Sequence, residues 1–135
     1  VIKMNKEVKI VSDKFSDQEI KYLRKAFKNK ETIYTLGLYN QMKFFKIYKE
    51  YINEELKGFV VLFLGYNSLS SNDIALEQVV SLDKQIDAYE IITKLILKIK
   101  ADYPEYDFYY DINANTIFYA ELLKELDLKR KGKSR

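Results

Sequence analysis

Carboxylates, tyrosines, serines and lysines are the reactive side chains of this 135-residue chain, because it contains neither cysteine nor histidine. Thiolate nucleophiles, disulfides, zinc sites built on Cys or His and every triad that needs an imidazole are thereby excluded. Three positions draw attention. Glu77 is a single carboxylate between Leu76 and Gln78 in an apolar, strand-like stretch; the simplest role for such a group is to face solvent or pair with a lysine. Asp83, Asp87 and Glu90 crowd the start of the most amphipathic segment of the chain. Tyr119 is one of 12 tyrosines, and a packed ring with a satisfied hydroxyl is the ordinary use of that residue.

The aromatic cluster Tyr103, Tyr106, Phe108, Tyr109 and Tyr110 has the composition of a base-stacking surface. No lysine or arginine occurs between Ala101 and Ala120, so the electrostatic half of nucleic-acid recognition is missing there. Alternation instead puts Tyr106, Phe108 and Tyr110 on one face, as a core-facing strand requires. The net charge of +3 is concentrated at the end of the chain. Lys129, Arg130, Lys131, Lys133 and Arg135 account for five of the 23 basic residues, leaving 18 against 20 acidic ones in residues 1–128. The expectation is one domain over residues 1–128 and a solvated basic tail over 129–135, with tail-mediated binding of nucleic acid as a lesser alternative. The longest apolar runs, Gly58–Gly65 and Ile91–Ile99, are too short to span a bilayer, which takes about 20 residues. With no basic leader running into an apolar segment, a cytoplasmic chain with no membrane partner is expected.

The elements that must position these groups can be read from periodicity. Val8 and Ile10 suggest a strand at 7–12. Ser16 and Glu19 form a capping box ahead of Ile20, Leu23, Ala26 and Phe27, predicting a helix over 17–29. Residues 31–42 are ambiguous: Thr32–Leu38 favours a strand by propensity, and a short helix is the other reading. Phe44–Asn53 alternates, with Phe45, Ile47, Lys49 and Tyr51 on one face and Lys46, Tyr48 and Glu50 on the other. Asn53–Gly58 reads as a turn into Phe59–Leu64, a strand buried on both faces. Ile74–Val80 is a third strand. Ala88, Ile91, Ile92, Leu95, Ile96 and Ile99 make one apolar helical face, and Pro104 ends that helix. A strand over 106–112 and a helix over 115–126 follow. Three consecutive strands before a crossover helix imply an antiparallel meander joined to a parallel βαβ unit.

This order resembles the GNAT acyltransferases, and so do three stretches covering about two thirds of the chain. "YINEELKGFVVLFL" is similar to the family's central hairpin. "IALEQVVSLDKQIDAYEIITKLI" stands where the family has its acyl-CoA-binding strand and helix. "FYYDINANTIFYAELLKELDLKRKGK" resembles its closing segment, in which an Asn after a strand precedes a Tyr on the next helix. The resemblance implies an α+β fold, a central mixed and mostly antiparallel sheet flanked by helices. It implies transfer of an acetyl group from acetyl-CoA to an amine, borne by a small molecule or a protein. It makes Glu77 a general base toward that amine and Tyr119 a proton donor to the departing thiolate. Val79, Val80, Gln85, Ala88 and Asn113 become contacts of the cofactor.

The family's pyrophosphate motif departs from its pattern here, with Gln85 in first place, Ala88 at the first glycine and Glu90 at the second. A helix N-terminus holds phosphate through free amide hydrogens and the helix dipole. Asp83, Asp87 and Glu90 put negative charge at that spot, and the pair Asp87/Glu90 is expected to cap the helix itself. An inactive GNAT-like domain that binds a protein partner is therefore the alternative function. Because the excess positive charge is confined to the last seven residues, deleting Gly132–Arg135 should leave unfolding free energy within roughly 0.5 kcal/mol of the native value in urea titrations.

Overall fold

A reciprocal pair of hydrogen bonds opens the first helix. In the computed structural model, which describes residues 7–27, 30–65, 72–83, 87–111 and 116–130, the Ser16 hydroxyl accepts from the Glu19 amide at 3.1 Å. The Ser16 amide donates to Glu19 Oε1 at 2.8 Å. This capping box starts α1 (Asp17–Ala26), preceded by β1 (Val8–Ser12). The ambiguous stretch is a helix, α2 (Lys30–Gln41). Its local preference for strand is overridden by tertiary burial: Leu36 and Tyr39, three residues apart, both turn into the core. Asn40 then ties α2 to the chain before α1, donating to the Phe15 carbonyl and accepting from the Phe15 amide.

β2 (Phe45–Ile52) and β3 (Glu55–Leu64) form the predicted hairpin with a tighter turn than the sequence suggested. Only Asn53 and Glu54 lie in the turn, both with positive φ (50° and 69°), the geometry whose twist matches two paired strands. β4 (Asp73–Ser81) completes the antiparallel meander, and α3 (Ala88–Asp102) crosses over to the parallel β5 (Asp107–Tyr110). Tyr103, ahead of Pro104, is already non-helical at the end of α3.

The expected last helix is divided into a single 3₁₀ turn (Ile117–Tyr119) and α4 (Ala120–Glu125). It ends in a Schellman arrangement: Leu128 N–H reaches the Leu123 carbonyl, Asp127 N–H reaches that of Lys124, and Asp127 takes the left-handed φ of 68°. That reversal delivers Lys129–Arg130, expected as the beginning of a tail, into a short strand β6 parallel to β5. The sheet therefore runs β1-β2-β3-β4-β5-β6 in chain order. Among the described residues no helix is long and apolar enough to cross a membrane.

Two cores cover the two faces of the sheet. Val60, Leu62, Ile74, Leu76 and Val79 pack under α3 and α4. Phe59, Val61 and Val80 pack under α1 and α2. β3 is thus apolar on both faces, as its uninterrupted run requires. α3 comes so close to the sheet that a Cβ on Gly58 would lie 2.5 Å from Ile91 Cγ2 and 3.0 Å from the Val80 carbonyl oxygen. The branched Ile91 and the strand backbone have little room to yield, so Gly58→Ala should lower unfolding free energy by about 1–3 kcal/mol.

β2 also carries two consecutive buried charges, Lys49 and Glu50, which alternation sends to opposite faces. Lys49 is satisfied: its ammonium lies 2.9 Å from Glu19 Oε1 and donates to the Lys14 carbonyl at 2.7 Å. Burial pushes the Glu19 carboxyl up, but bonds from the Tyr51 hydroxyl, the Ser16 amide and Lys49 outweigh it and hold the group below its ordinary value. A depressed carboxyl contributes stability above its unfolded pKa and loses it as pH falls through the folded one. Glu19→Ala leaves Lys49 buried without its counter-ion and should cost about 3–5 kcal/mol in urea unfolding. Adding Lys49→Met should recover much of the loss.

Candidate functional site

The local geometry of β4 is set by one extra residue. Leu62 of β3 pairs with Leu76 and Val61 pairs with Gln78, so Glu77 has no opposite number and forms a bulge. Along a strand the backbone groups alternate between its two edges. Before the bulge, Asn72 accepts from Asp107 of β5 whereas Asp73 accepts from Gly65, next to β3. Beyond it, Leu82 N–H bonds to Lys57 on the β3 side, which turns the amides of Val79 and Ser81 to the β5 side. Uninterrupted alternation would have faced both toward β3. The side chains shift likewise: Ile74, Leu76 and Val79 share the core under α3, and Val80 belongs to the opposite one.

The β5 side of β4 opens where these amides emerge. Parallel pairing ends at Leu76↔Tyr110, and among the described residues no strand runs beside Glu77–Ser81 on that edge. Among the described residues the end of this pairing leaves a wedge beside the β4 backbone. Its mouth is formed by the start of α3 and the 3₁₀ turn. The Tyr119 hydroxyl accepts from the Ser81 amide there, and its ring meets that of Tyr89 edge-on at a centroid distance of 6.0 Å. Burial is the main cause that holds the Tyr119 hydroxyl above its ordinary value, partly opposed by the Ser81 bond. It remains a protonated phenol at neutral pH.

On the other face the bulge places Glu77 and Gln78 side by side toward α2. Gln78 Nε2 donates to the Tyr39 hydroxyl at 3.1 Å. Burial pushes the Tyr39 pKa up, the Gln78 bond opposes this, and the negative charge of Glu77 adds to the rise. Tyr39 and Gln78 were not singled out from sequence. Only the bulge, invisible in a strand pattern, brings two consecutive β4 side chains to one helix.

The start of α3 differs from the expected self-capped end. Asp87 occupies the cap position with αR backbone angles (φ −76°, ψ −3°), and its side chain makes no bond to the first-turn amides. A cap normally needs an extended backbone to aim its oxygen at those amides. Glu90 does not fold back either: its carboxylate lies 3.1 Å from Lys94, one turn along. Ala88 is the first residue of the helix.

The residues expected to form a site are therefore partly assembled. Glu77 stands at the bulge, and Tyr119 bonds to Ser81, four residues further along the strand. Glu77 and Ser81 are four residues apart, roughly 13 Å along an extended strand, so the β4 partner of Tyr119 lies well beyond Glu77. Val79 and Val80 are buried in opposite cores; the Val79 amide faces the β5 edge, whereas Val80 pairs with Phe59 of β3. Gln85 and Asn113 lie outside the described residues. Among the described residues no three carboxylates gather as metal ligands do.

No family model matches the sequence, and no curated protein matches it either. The architecture does match. An aminoglycoside N-acetyltransferase in complex with CoA superposes over 100% of this chain and 96% of its own at a TM-score of 0.64, with 8% identity. The N-acetyltransferase PseH of Campylobacter jejuni gives 0.64 over 95% of this chain and 92% of its own, with 12% identity. A GNAT family acetyltransferase of Streptococcus pneumoniae gives 0.55 over 96% and 98%, with 13% identity. Such identities speak for architecture alone, and the chain has the GNAT acetyltransferase fold.

Proposed function

We propose that this chain is an acyltransferase that accepts the acetyl group of acetyl-CoA and passes it to an amine. The observation that carries the reading is the bulge at Glu77, which at one point opens the β4 backbone toward β5 and sets a carboxylate on the opposite face. An extended, amide-bearing chain can add to a strand edge through main-chain bonds. The Val79 and Ser81 amides offer such an edge. Acetyl-CoA would supply the thioester: the amine nitrogen bonds to the acetyl carbon, the C–S bond breaks with its electron pair leaving on sulfur as the CoA thiolate, and the amine gives up a proton. Glu77 would take that proton, from an acceptor approaching on the α2 face beside Gln78 and Tyr39. Tyr119 belongs to the mouth of the wedge, where it holds the Ser81 amide until a ligand replaces it.

The first turn of α3 suits an anion in one respect and not in another. Among the described residues the Asp87 side chain makes no cap bond to its amides and Glu90 pairs with Lys94 one turn along, which leaves donors of the kind that hold phosphate. The charges of Asp87 and Glu90 nevertheless remain beside them, and each like-charge pair costs about 1–4 kcal/mol at 4 Å between water and surface dielectric limits. This favours weak cofactor binding and sustains a second reading, a GNAT-fold module that binds a protein partner without catalysis.

Calorimetric titration with acetyl-CoA at fixed low salt separates the two. The native chain should bind weakly, and Asp87→Gly with Glu90→Gly should tighten binding by about tenfold or more, since 1.4 kcal/mol is a factor of ten. Glu77→Gln should leave that binding unchanged while abolishing acetylation of any amine acceptor found by screening. Absence of binding by both folded forms would overturn the acyltransferase reading in favour of the module.

A further inference from the structure

Glu50 is the anomaly of this fold. It is fully buried on β2, and neither carboxylate oxygen has a hydrogen-bond partner. Buried polar groups are almost always paired, and an ionised carboxylate left alone in a core is costly. Its neighbours across the sheet are Ile10 of β1 and Gly58 of β3, neither of which titrates. The ionisable groups facing it come from α3. Asp87, Glu90 and Lys94 line, with Glu50, Val8, Ile52 and Ile91, a cavity of about 10 Å³ beneath the first turns of that helix. This is room for about one water. Among the described residues Lys94 is the only cation in that lining, and it is paired outward with the half-exposed Glu90 at 3.1 Å.

We propose that Glu50 is a proton-controlled partner of Lys94, which exchanges between two carboxylates. With Glu50 protonated, the neutral acid sits under α3 and Lys94 pairs with Glu90. With Glu50 ionised, the ammonium turns inward to it and Glu90 is left unpaired in the first turn of the helix. No bond is made or broken except that of the proton, which passes to solvent. The charge presented by the start of α3 thus changes with pH, whether or not a cofactor binds there.

The direction of the pH dependence follows from burial. Desolvation is the main cause that pushes the Glu50 carboxyl up to about 7, with Lys94 opposing it and Glu90 adding to it. A folded value above the ordinary 4.5 means that the folded chain keeps a proton the unfolded chain has lost. The stability this confers is complete below pH 4.5 and is lost as pH rises toward 7.

Carboxyl ¹³C NMR titration of Glu50 in the full chain tests the exchange. The native midpoint should lie near 7. Lys94→Met should raise it and Glu90→Gln, which releases Lys94, should lower it, each by about half a pH unit or more. In parallel, the folding constant of the native chain should fall relative to Glu50→Gln by up to about tenfold per pH unit across that window. A midpoint in the ordinary carboxylate range, or matching pH profiles for the native chain and Glu50→Gln, would overturn the proposal. So would a midpoint near 7 that neither surface variant moves, since it would mean a buried acid without exchange.

Discussion

A one-residue bulge in β4 sets the geometry of the candidate site. The bulge at Glu77 shifts the alternation of the strand by one, for backbone and side chains alike. Upstream of it, β4 is an ordinary central strand, bonded to β3 on one edge and to β5 on the other. Downstream, the β3 edge stays paired while the other edge turns the Val79 and Ser81 amides into the wedge. The same shift puts Glu77 and Gln78 together on the α2 face. Backbone amides and a carboxylate thus emerge from neighbouring positions of one strand, the arrangement on which the proposed acyl transfer rests.

The helices hold that strand in place by close approach and charge. α3 docks over Gly58, where the missing Cβ is what admits Ile91. α1 is fixed to β2 by Glu19, which serves at once as the third residue of a capping box, the counter-ion of Lys49 and the acceptor of the Tyr51 hydroxyl. One carboxylate thereby connects a helix start to the sheet. Glu50, the next residue along β2, has no such arrangement on the other face. The contrast lies in the tertiary neighbours: Lys49 meets Glu19 directly, whereas Glu50 meets a helix whose Lys94, at the same cavity, is engaged with Glu90.

The start of α3 shows how backbone angles decide what a side chain can do. Asp87 and Glu90 have the residue types and spacing of a capping pair, yet the αR conformation of Asp87 turns its carboxylate away from the first-turn amides. Glu90 finds a better partner one turn along in Lys94. The charges of both groups remain at the helix start, while Asp87 makes no cap bond to its amides. Tyr119 closes the same mouth by a different route, through the Ser81 amide and the Tyr89 ring.

By itself the sequence determined most of the elements and the α+β class, because those follow from apolar periodicity, the Ser16–Glu19 box and Pro104, all local signals; the GNAT-like architecture was implied by resemblance to that family. It also determined the chemistry that is excluded, since a chain without cysteine or histidine cannot use a thiolate or an imidazole. The three-dimensional structure decided the rest. α2 became a helix because burial of Leu36 and Tyr39 outweighs the strand preference of its residues. Lys129–Arg130 joined the sheet because the reversal at Asp127 aims them at β5. The bulge, the pairing of Gln78 with Tyr39, and the bond between Tyr119 and Ser81 were not legible beforehand. Each depends on register between strands or on contact between residues far apart in the chain, and neither leaves a trace in the spacing of residue types.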